Sequence, residues 1–414
     1  MIGEKQAKIL AFPYSDYENI ICDGAVRSGK TSIMMVAFVD WAMRCYDRKR
    51  FGICGKTVES AVKNIVEPYK AMTYALDRYS LTFRRSDKTL VVKRGGKQNI
   101  FEVFGGKDEA SQSLIQGRTL AGVLLDEVVL MPQSFVQQAI ARCSVEGARL
   151  WFSCNPGSPK HWFYTDWIQQ AEEHNCLYLH FTMPDNPSLS EKTLQKYRTY
   201  YGTSGVFYQR YILGEWVLAD GLVYQRFDDE KNTFDVALFA DESGNLKAGA
   251  QAYLSVDYGI MNPFAALLWV IYDGVAYCWR EYYYDGRKKM HQRTDEEHYA
   301  EVEKLAGELF VDEIIVDPSA TSFKATVNRH GRFVCINGNN DIIAGIGTLS
   351  TLFQAGMVKI HKSCKNFLDE LKVYSWDSDA IEDAVVKEND HACDAARYFA
   401  HTILRIEFDW MDWT

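Results

Sequence analysis

Two groups of residues in this chain are spaced for phosphate chemistry. The first is GAVRSGKT, residues 24–31, where Gly24, Gly29, Lys30 and Thr31 satisfy G-x-x-x-x-G-K-[ST] without mismatch. Glycines at those places let the backbone N–H groups of Ala25, Val26, Arg27 and Ser28 curl around phosphate oxygens, and a helix that follows points its positive end at them. Lys30 would reach the β and γ phosphates of ATP, and Thr31 would hold its Mg²⁺. VLLDE, residues 123–127, supplies the partner: Asp126 to hold Mg²⁺ through water, and Glu127 to orient or deprotonate the attacking water. Arg27 has two readings, a finger on the γ-phosphate or a surface arginine. Arg118 and Arg142 flank the VLLDE strand and could serve a neighbour's ATP. Asn155, in SCNP, could sense the γ-phosphate, although Asn-Pro-Gly also makes a turn.

The second group is acidic. Asp257 follows YLSV, Asp317 follows EIIV, and Asp394 lies in NDHACDAARY just beyond Asp390 and His391. Carboxylates from two strands and a helix can bring two divalent ions, Mg²⁺ or Mn²⁺, roughly 4 Å apart. His391 precedes Asp394 by one helical turn, so it could protonate a leaving group or position a water. Against this, strand-end aspartates are common in a chain with 55 acids. Asp379, Glu382 and Asp383 form a competing cluster that reads as a solvated loop. DGRKKMHQR, residues 285–293, is the most basic stretch of this half, either a phosphate grip or a solvated loop.

These residues need elements to hold them. ENIICD, RFGICGK, LAGVLLDE, ARLWFSCN and CLYLHFTM read as buried strands, with an antiparallel ribbon over residues 81–106. Strands alternating with helical segments give an α/β fold with a mostly parallel sheet. The pattern loosens across ADGLVYQRFDDEKNTF and ADESGNLKAG. The expected division is a P-loop ATPase domain over 1–220, a linker over 221–247 and a second domain over 248–414. That domain opens with AYLSVD, FAALLWVIY and VAYCWREYYY, with a hairpin at Asp273-Gly274. Thr294 and Glu297 form a capping box for the next helix. EIIVD, a helix and FVCIN complete the element order of a ribonuclease-H-like α/β nuclease.

Composition narrows the classes. The net charge of −9 counts against nucleic acid as a partner unless a local basic patch or a bound metal carries the contact. Ten cysteines contain no C-x-x-C pair, and neither His361/Cys364 nor His391/Cys393 has a second pair nearby. Reduced, mostly buried thiols are expected, not zinc or disulfides. The longest apolar run, residues 264–272, is too short to span a bilayer, and MIGEKQAKIL is not a signal peptide. A cytosolic protein with no membrane partner is expected.

In combination the motifs resemble the large terminase subunit of tailed bacteriophages, the motor that packages DNA into procapsids. GAVRSGKT, VLLDE, SCNPGSPKHWFY, ILGEW, SVDYG, IIVDPS and DHACDAARY carry the resemblance in order along essentially the whole chain. It implies an additional-strand P-loop ATPase followed by a ribonuclease-H-like nuclease. It implies that Gln6 contacts adenine, that Ser153, Cys154 and Asn155 couple hydrolysis to movement, and that Asp257, Asp317 and Asp394 bind metal with His391 as helper. The implied partners are double-stranded DNA, a portal protein and a small terminase subunit, with a ring of copies on the portal. The implied location is the host cytoplasm and, transiently, the procapsid. A helicase- or recombinase-like enzyme of replication or repair is the alternative. A degenerate nuclease fold used for docking is another.

Overall fold

The computed structural model describes residues 2–201, 205–259, 262–380 and 383–404. The chain divides into two compact units, Met1–Leu218 and Ala219–Thr414.

The first unit is built on eight strands. They are β1 (Asn19–Gly24), β2 (Arg50–Gly55), β3 (Ser80–Arg84), β4 (Thr89–Arg94), β5 (Lys97–Gly105), β6 (Gly122–Leu125), β7 (Arg149–Ser153) and β8 (Cys176–Phe181). Their order is β3-β4-β5-β2-β6-β7-β1-β8. From β5 to β8 every pairing is parallel, while β3, β4 and β5 form the expected antiparallel ribbon. The central strands are buried on both faces, which is why they read as unbroken apolar runs. The helix Lys30–Cys45 covers one face, and its Phe38 packs edge-on against Phe51, Phe101 and Trp151. Between the P-loop strand β1 and the Asp126 strand β6 lies one extra strand, β7. Because all three run parallel, Gly24, Asp126 and Ser153 reach the same edge of the sheet.

The second unit has seven strands. They are β9 (Thr233–Phe234), β10 (Gln251–Asp257), β11 (Phe264–Tyr272), β12 (Val275–Tyr284), β13 (Glu313–Val316), β14 (Cys335–Asn337) and β15 (Val358–His361), in the order β14-β13-β10-β11-β12-β15-β9. The first five form the ribonuclease-H-like core. Asp273 and Gly274 close the β11–β12 hairpin with φ of 50° and 71°, the pair of positive values that a two-residue turn of right-handed twist requires. The capping box forms: Thr294 N–H donates to Glu297 Oε2 (2.8 Å) and Glu297 N–H to Thr294 Oγ1 (3.3 Å).

Residues 221–247 differ from expectation. They belong to the second unit and are not a free linker. β9 pairs with β15, Phe239 is buried against Tyr277, and the buried Asn232 amide donates to Phe353 O (2.9 Å) and Val358 O (3.1 Å). A two-residue strand has no period to read, and its partners lie more than a hundred residues away. All ten cysteines are free and seven are buried. No helix among the described residues is long and apolar enough to cross a membrane.

Candidate nucleotide and nuclease sites

The loop after β1 is shaped from below. A Cβ on Gly24, at φ 119°, would lie 1.9 Å from Phe181 O, so only glycine fits. Ala25 N–H donates to Phe181 O (2.8 Å) and Val26 N–H to Tyr211 O (3.1 Å). Gly214, at φ 79°, packs directly beneath: its Cβ would lie 2.6 Å from Phe181 O and 2.8 Å from Ala25 N. Two residues on, Trp216 Nε1 donates to Asp23 Oδ2 (2.7 Å), and His180 Nδ1 lies 3.0 Å from Asp23 Oδ1. The ILGEW segment is thus the floor of the loop. Asp23, His180 and this role of Gly214 and Trp216 escape a reading of the sequence, because the contacts join distant segments. Gly214→Ala is expected to weaken ATP binding about tenfold or more, through the forced movement of Ala25. ATP-induced thermal stabilisation measures this, and a wild-type shift would show that the floor can yield.

Lys30 is buried inside the loop. Its Nζ donates to Gly24 O (2.9 Å), Ala25 O (2.7 Å), Ser28 Oγ (3.2 Å) and Asn155 Oδ1 (3.2 Å). Burial lowers its pKa. Thr31 Oγ1 donates to Asp126 Oδ1 (2.8 Å), and Ser153 Oγ donates to the same oxygen. Burial lifts the Asp126 pKa, and the two hydroxyls work against that. Two adjacent bonded groups therefore meet at this sheet edge: Lys30 ties the loop after β1 to Asn155 beyond β7, and Asp126, beyond β6, ties Thr31 to Ser153 at the end of β7. Cys154 is buried beneath it, its N–H donating to Cys22 O (3.2 Å). Glu127 has φ 55°, a strained value for a side chain of its size. Gln6 is buried with its Nε2 against Gly29, 2.4 Å from where a Cβ would stand. Arg27 is exposed, with its guanidinium 5.4 Å from the Tyr197 ring centre. Arg118 pairs with Glu102 (3.2 Å), and Arg142 ends the helix Gln133–Arg142.

In the second unit β10 and β13 pair with Val256 opposite Val316, so Asp257 and Asp317 leave neighbouring strands at one edge. Asp317 N–H donates to Val256 O (3.1 Å). Ser319 N–H and Oγ donate to the Asp317 carboxylate, each at 2.8 Å. The helix His391–Phe399 packs over β10 and β11, with Phe399 stacked on Trp269 at 4.5 Å. It brings His391 Nδ1 to 3.0 Å from Asp257 Oδ2. Arg397 Nε donates to Asp394 Oδ1 (3.0 Å), and Lys387 Nζ lies 3.5 Å from both Asp390 Oδ2 and Asp394 Oδ2. Burial pushes the Asp257 carboxyl up to about 6; Asp394 and Asp317 add to this and His391 opposes it. Burial disfavours the His391 imidazolium, but Asp257 outweighs it and raises the pKa.

Among the described residues no group of three or more His, Cys, Asp and Glu is gathered closely enough to hold a metal ion as placed. Asp257 is met instead by His391, Asp390 by Lys387, Asp394 by Lys387 and Arg397, and Asp317 by Ser319. The donor set nevertheless fits Mg²⁺ or Mn²⁺: all are hard carboxylate oxygens, and Asp394 and Asp317 add to the burial that raises Asp257. Asp379 is exposed, its N–H donating to Asp377, and Glu382 lies outside the described residues. The basic stretch leaves β12 at the same edge as Asp257, since Asp257 faces Ala265 and Ala265 faces Tyr283. Sequence reasoning missed Lys387 and Arg397. The i,i+3 spacing of Asp394 and Arg397 was the available signal.

Residues 21–231 match the family described as terminase large subunit, T4likevirus-type, N-terminal. The whole fold is similar to the large terminase from a thermophilic bacteriophage. The two share 43% identity over 98% of this chain and 99% of that one, with a TM-score of 0.91. The same phage protein in complex with ADP matches at 43% identity and a TM-score of 0.91, covering 98% of this chain and 100% of that one. Its complex with ATP-γ-S matches at 42% and 0.90 with the same coverage. No curated protein matches the chain.

Proposed function

This chain belongs to the terminase large subunits, and from that premise we propose that it drives double-stranded viral DNA into a procapsid and cuts the concatemer. The observation that most supports a motor is the 3.2 Å bond from Lys30 Nζ to Asn155 Oδ1. It joins the P-loop to the end of the extra strand, so a change of phosphate partner on Lys30 moves Asn155.

In the nucleotide site Lys30 exchanges its carbonyl partners for β- and γ-phosphate oxygens, and Gln6 contacts adenine. Thr31 and Asp126 would hold Mg²⁺, which would neutralise charge building on the phosphates. Glu127 orients or deprotonates the attacking water, and Arg27 approaches the γ-phosphate as a finger in cis. Ser153, Cys154 and Asn155 pass the change to the sheet. In the nuclease site Asp257, Asp317 and Asp394 would hold two Mg²⁺ or Mn²⁺ ions, which would supply Lewis-acid activation of water and of the leaving oxygen. His391 holds a proton at Nδ1 toward Asp257 and can release it to a leaving group.

The proposed partners are double-stranded DNA, a portal protein, a small terminase subunit and further copies of this chain in a ring on the portal. The proposed setting is the host cytoplasm, with transient docking on the procapsid. The test mixes the chain with portal-bearing procapsids, small subunit, linear DNA and ATP, and measures nuclease-protected DNA. Protection that requires ATP and fails with ATP-γ-S is expected. Brisk ATP hydrolysis with no protected DNA would remove the packaging reading.

A further inference from the structure

We propose that Glu370 is a positioning residue of the nuclease centre: its buried carboxylate caps the helix His391–Phe399 and sets where His391 and Asp394 stand relative to Asp257. This rests on the nuclease reading above.

That helix has no cap of its own. Asp390, at the N-cap position, has φ −121° and ψ 0° and makes no side-chain capping bond. The free first-turn amides are taken from outside: Ala392 N–H and Cys393 N–H both donate to Glu370 Oε2, at 2.7 and 3.1 Å. The other oxygen, Oε1, accepts from Tyr283 Oη (2.8 Å). Tyr283 lies on β12, opposite Ala265, which in turn faces Asp257. One carboxylate therefore ties the sheet that carries Asp257 to the helix that carries His391 and Asp394. Glu370 itself is held, because Glu281, also on β12, accepts from Asn366 N–H (2.9 Å) and Phe367 N–H (3.0 Å) at the start of its helix.

Stability does not explain this arrangement. A Ser or Asn at the N-cap would satisfy the same amides without burying a carboxylate. Glu370 is only 5% exposed, and burial pushes its pKa up to about 7 against the pull of Tyr283 and the two amides. What a distant cap provides, and a local one does not, is a fixed height of the helix above the sheet.

The test uses the full chain and the variants Glu370→Ala, Glu370→Gln and Tyr283→Phe. Three quantities are read: kcat and KM for plasmid cleavage, the thermal shift produced by Mn²⁺ without DNA, and the unfolding midpoint. Glu370→Ala is expected to lower kcat about tenfold with KM little changed, and to shrink the Mn²⁺ shift. Glu370→Gln keeps an oxygen for the two amides and should return kcat to within about threefold of wild type. Should Glu370→Ala fail to fold, Tyr283→Phe carries the test, with a kcat loss of about threefold expected. Wild-type kcat and Mn²⁺ shift in the variants overturn the proposal. So does an equal loss in Ala and Gln variants, since charge and not placement would then be the requirement. A wild-type chain that neither cuts nor responds to Mn²⁺ overturns the nuclease reading itself, and this inference with it.

Discussion

Lys30→Ala is expected to lower ATP hydrolysis by about a thousandfold while leaving plasmid cleavage intact. Two losses combine. The ammonium that would face the phosphates is gone, and with it the donor that holds the Gly24 and Ala25 carbonyls and the Asn155 amide. Two buried carbonyls and the partly buried Asn155 oxygen then lose this donor, at a cost of about 1–3 kcal/mol for each buried one unless water enters. The loop should open even before nucleotide arrives, so ATP binding falls together with turnover. Phosphate release and ATP-induced thermal stabilisation measure the two losses. A variant that hydrolyses ATP within threefold of wild type would show that the phosphate charge is met by another group, and Arg27 would be the first to test.

Asp257→Asn is expected to lower Mg²⁺- or Mn²⁺-dependent cleavage by about a thousandfold with ATP hydrolysis unchanged. Asparagine keeps the volume and can still bond His391, so the loss isolates the charge. The same substitution should not destabilise the fold. Burial and the neighbouring Asp394 and Asp317 hold the Asp257 carboxyl up at about 6, so its ionised form is under strain near neutral pH. Removing that charge relieves the strain, and the unfolding midpoint should stay level or rise. Chelation of divalent ions should abolish cleavage by the wild type. Cleavage that survives in Asp257→Asn would mean the acids are not the metal ligands, and the second unit would then be a docking module.

The two sites were legible to different depths. GAVRSGKT is readable because every role in it is local: a glycine where the backbone must turn, a lysine one residue before the hydroxyl. Asp126, Asp257 and Asp317 are readable because each ends an apolar strand, and parallel strands deliver their ends to one edge. Asp23 is not readable, since what defines it is an imidazole and an indole that lie 157 and 193 residues downstream in the chain. β15 and β9 fail for another reason: both are short, and VKIH and TF lack the unbroken apolar run that marks strands of similar length such as β6 and β13. The acid-rich, glycine-rich segment 221–247 reads as a linker because its anchors, such as Asn232, bond to backbone that composition does not reveal. Glu370 has no motif at all. It is found only by asking where the first amides of the His391 helix go.

The floor beneath the P-loop also fixes an order of events during synthesis. β1 emerges early, yet both its sheet neighbours, β7 and β8, lie far downstream, and Trp216 follows its partner Asp23 by 193 residues. β2 has no such delay, because the ribbon that pairs with it through β5 is complete by residue 105. Pairings of long sequence separation form last, since loop closure must precede any contact that rewards it. The nascent chain thus first builds the β2 side of the sheet, and β1 waits as an unpaired apolar strand, the kind of edge on which aggregates start. The P-loop therefore gains its floor late, because Phe181, Tyr211 and Gly214 lie near the end of the first unit.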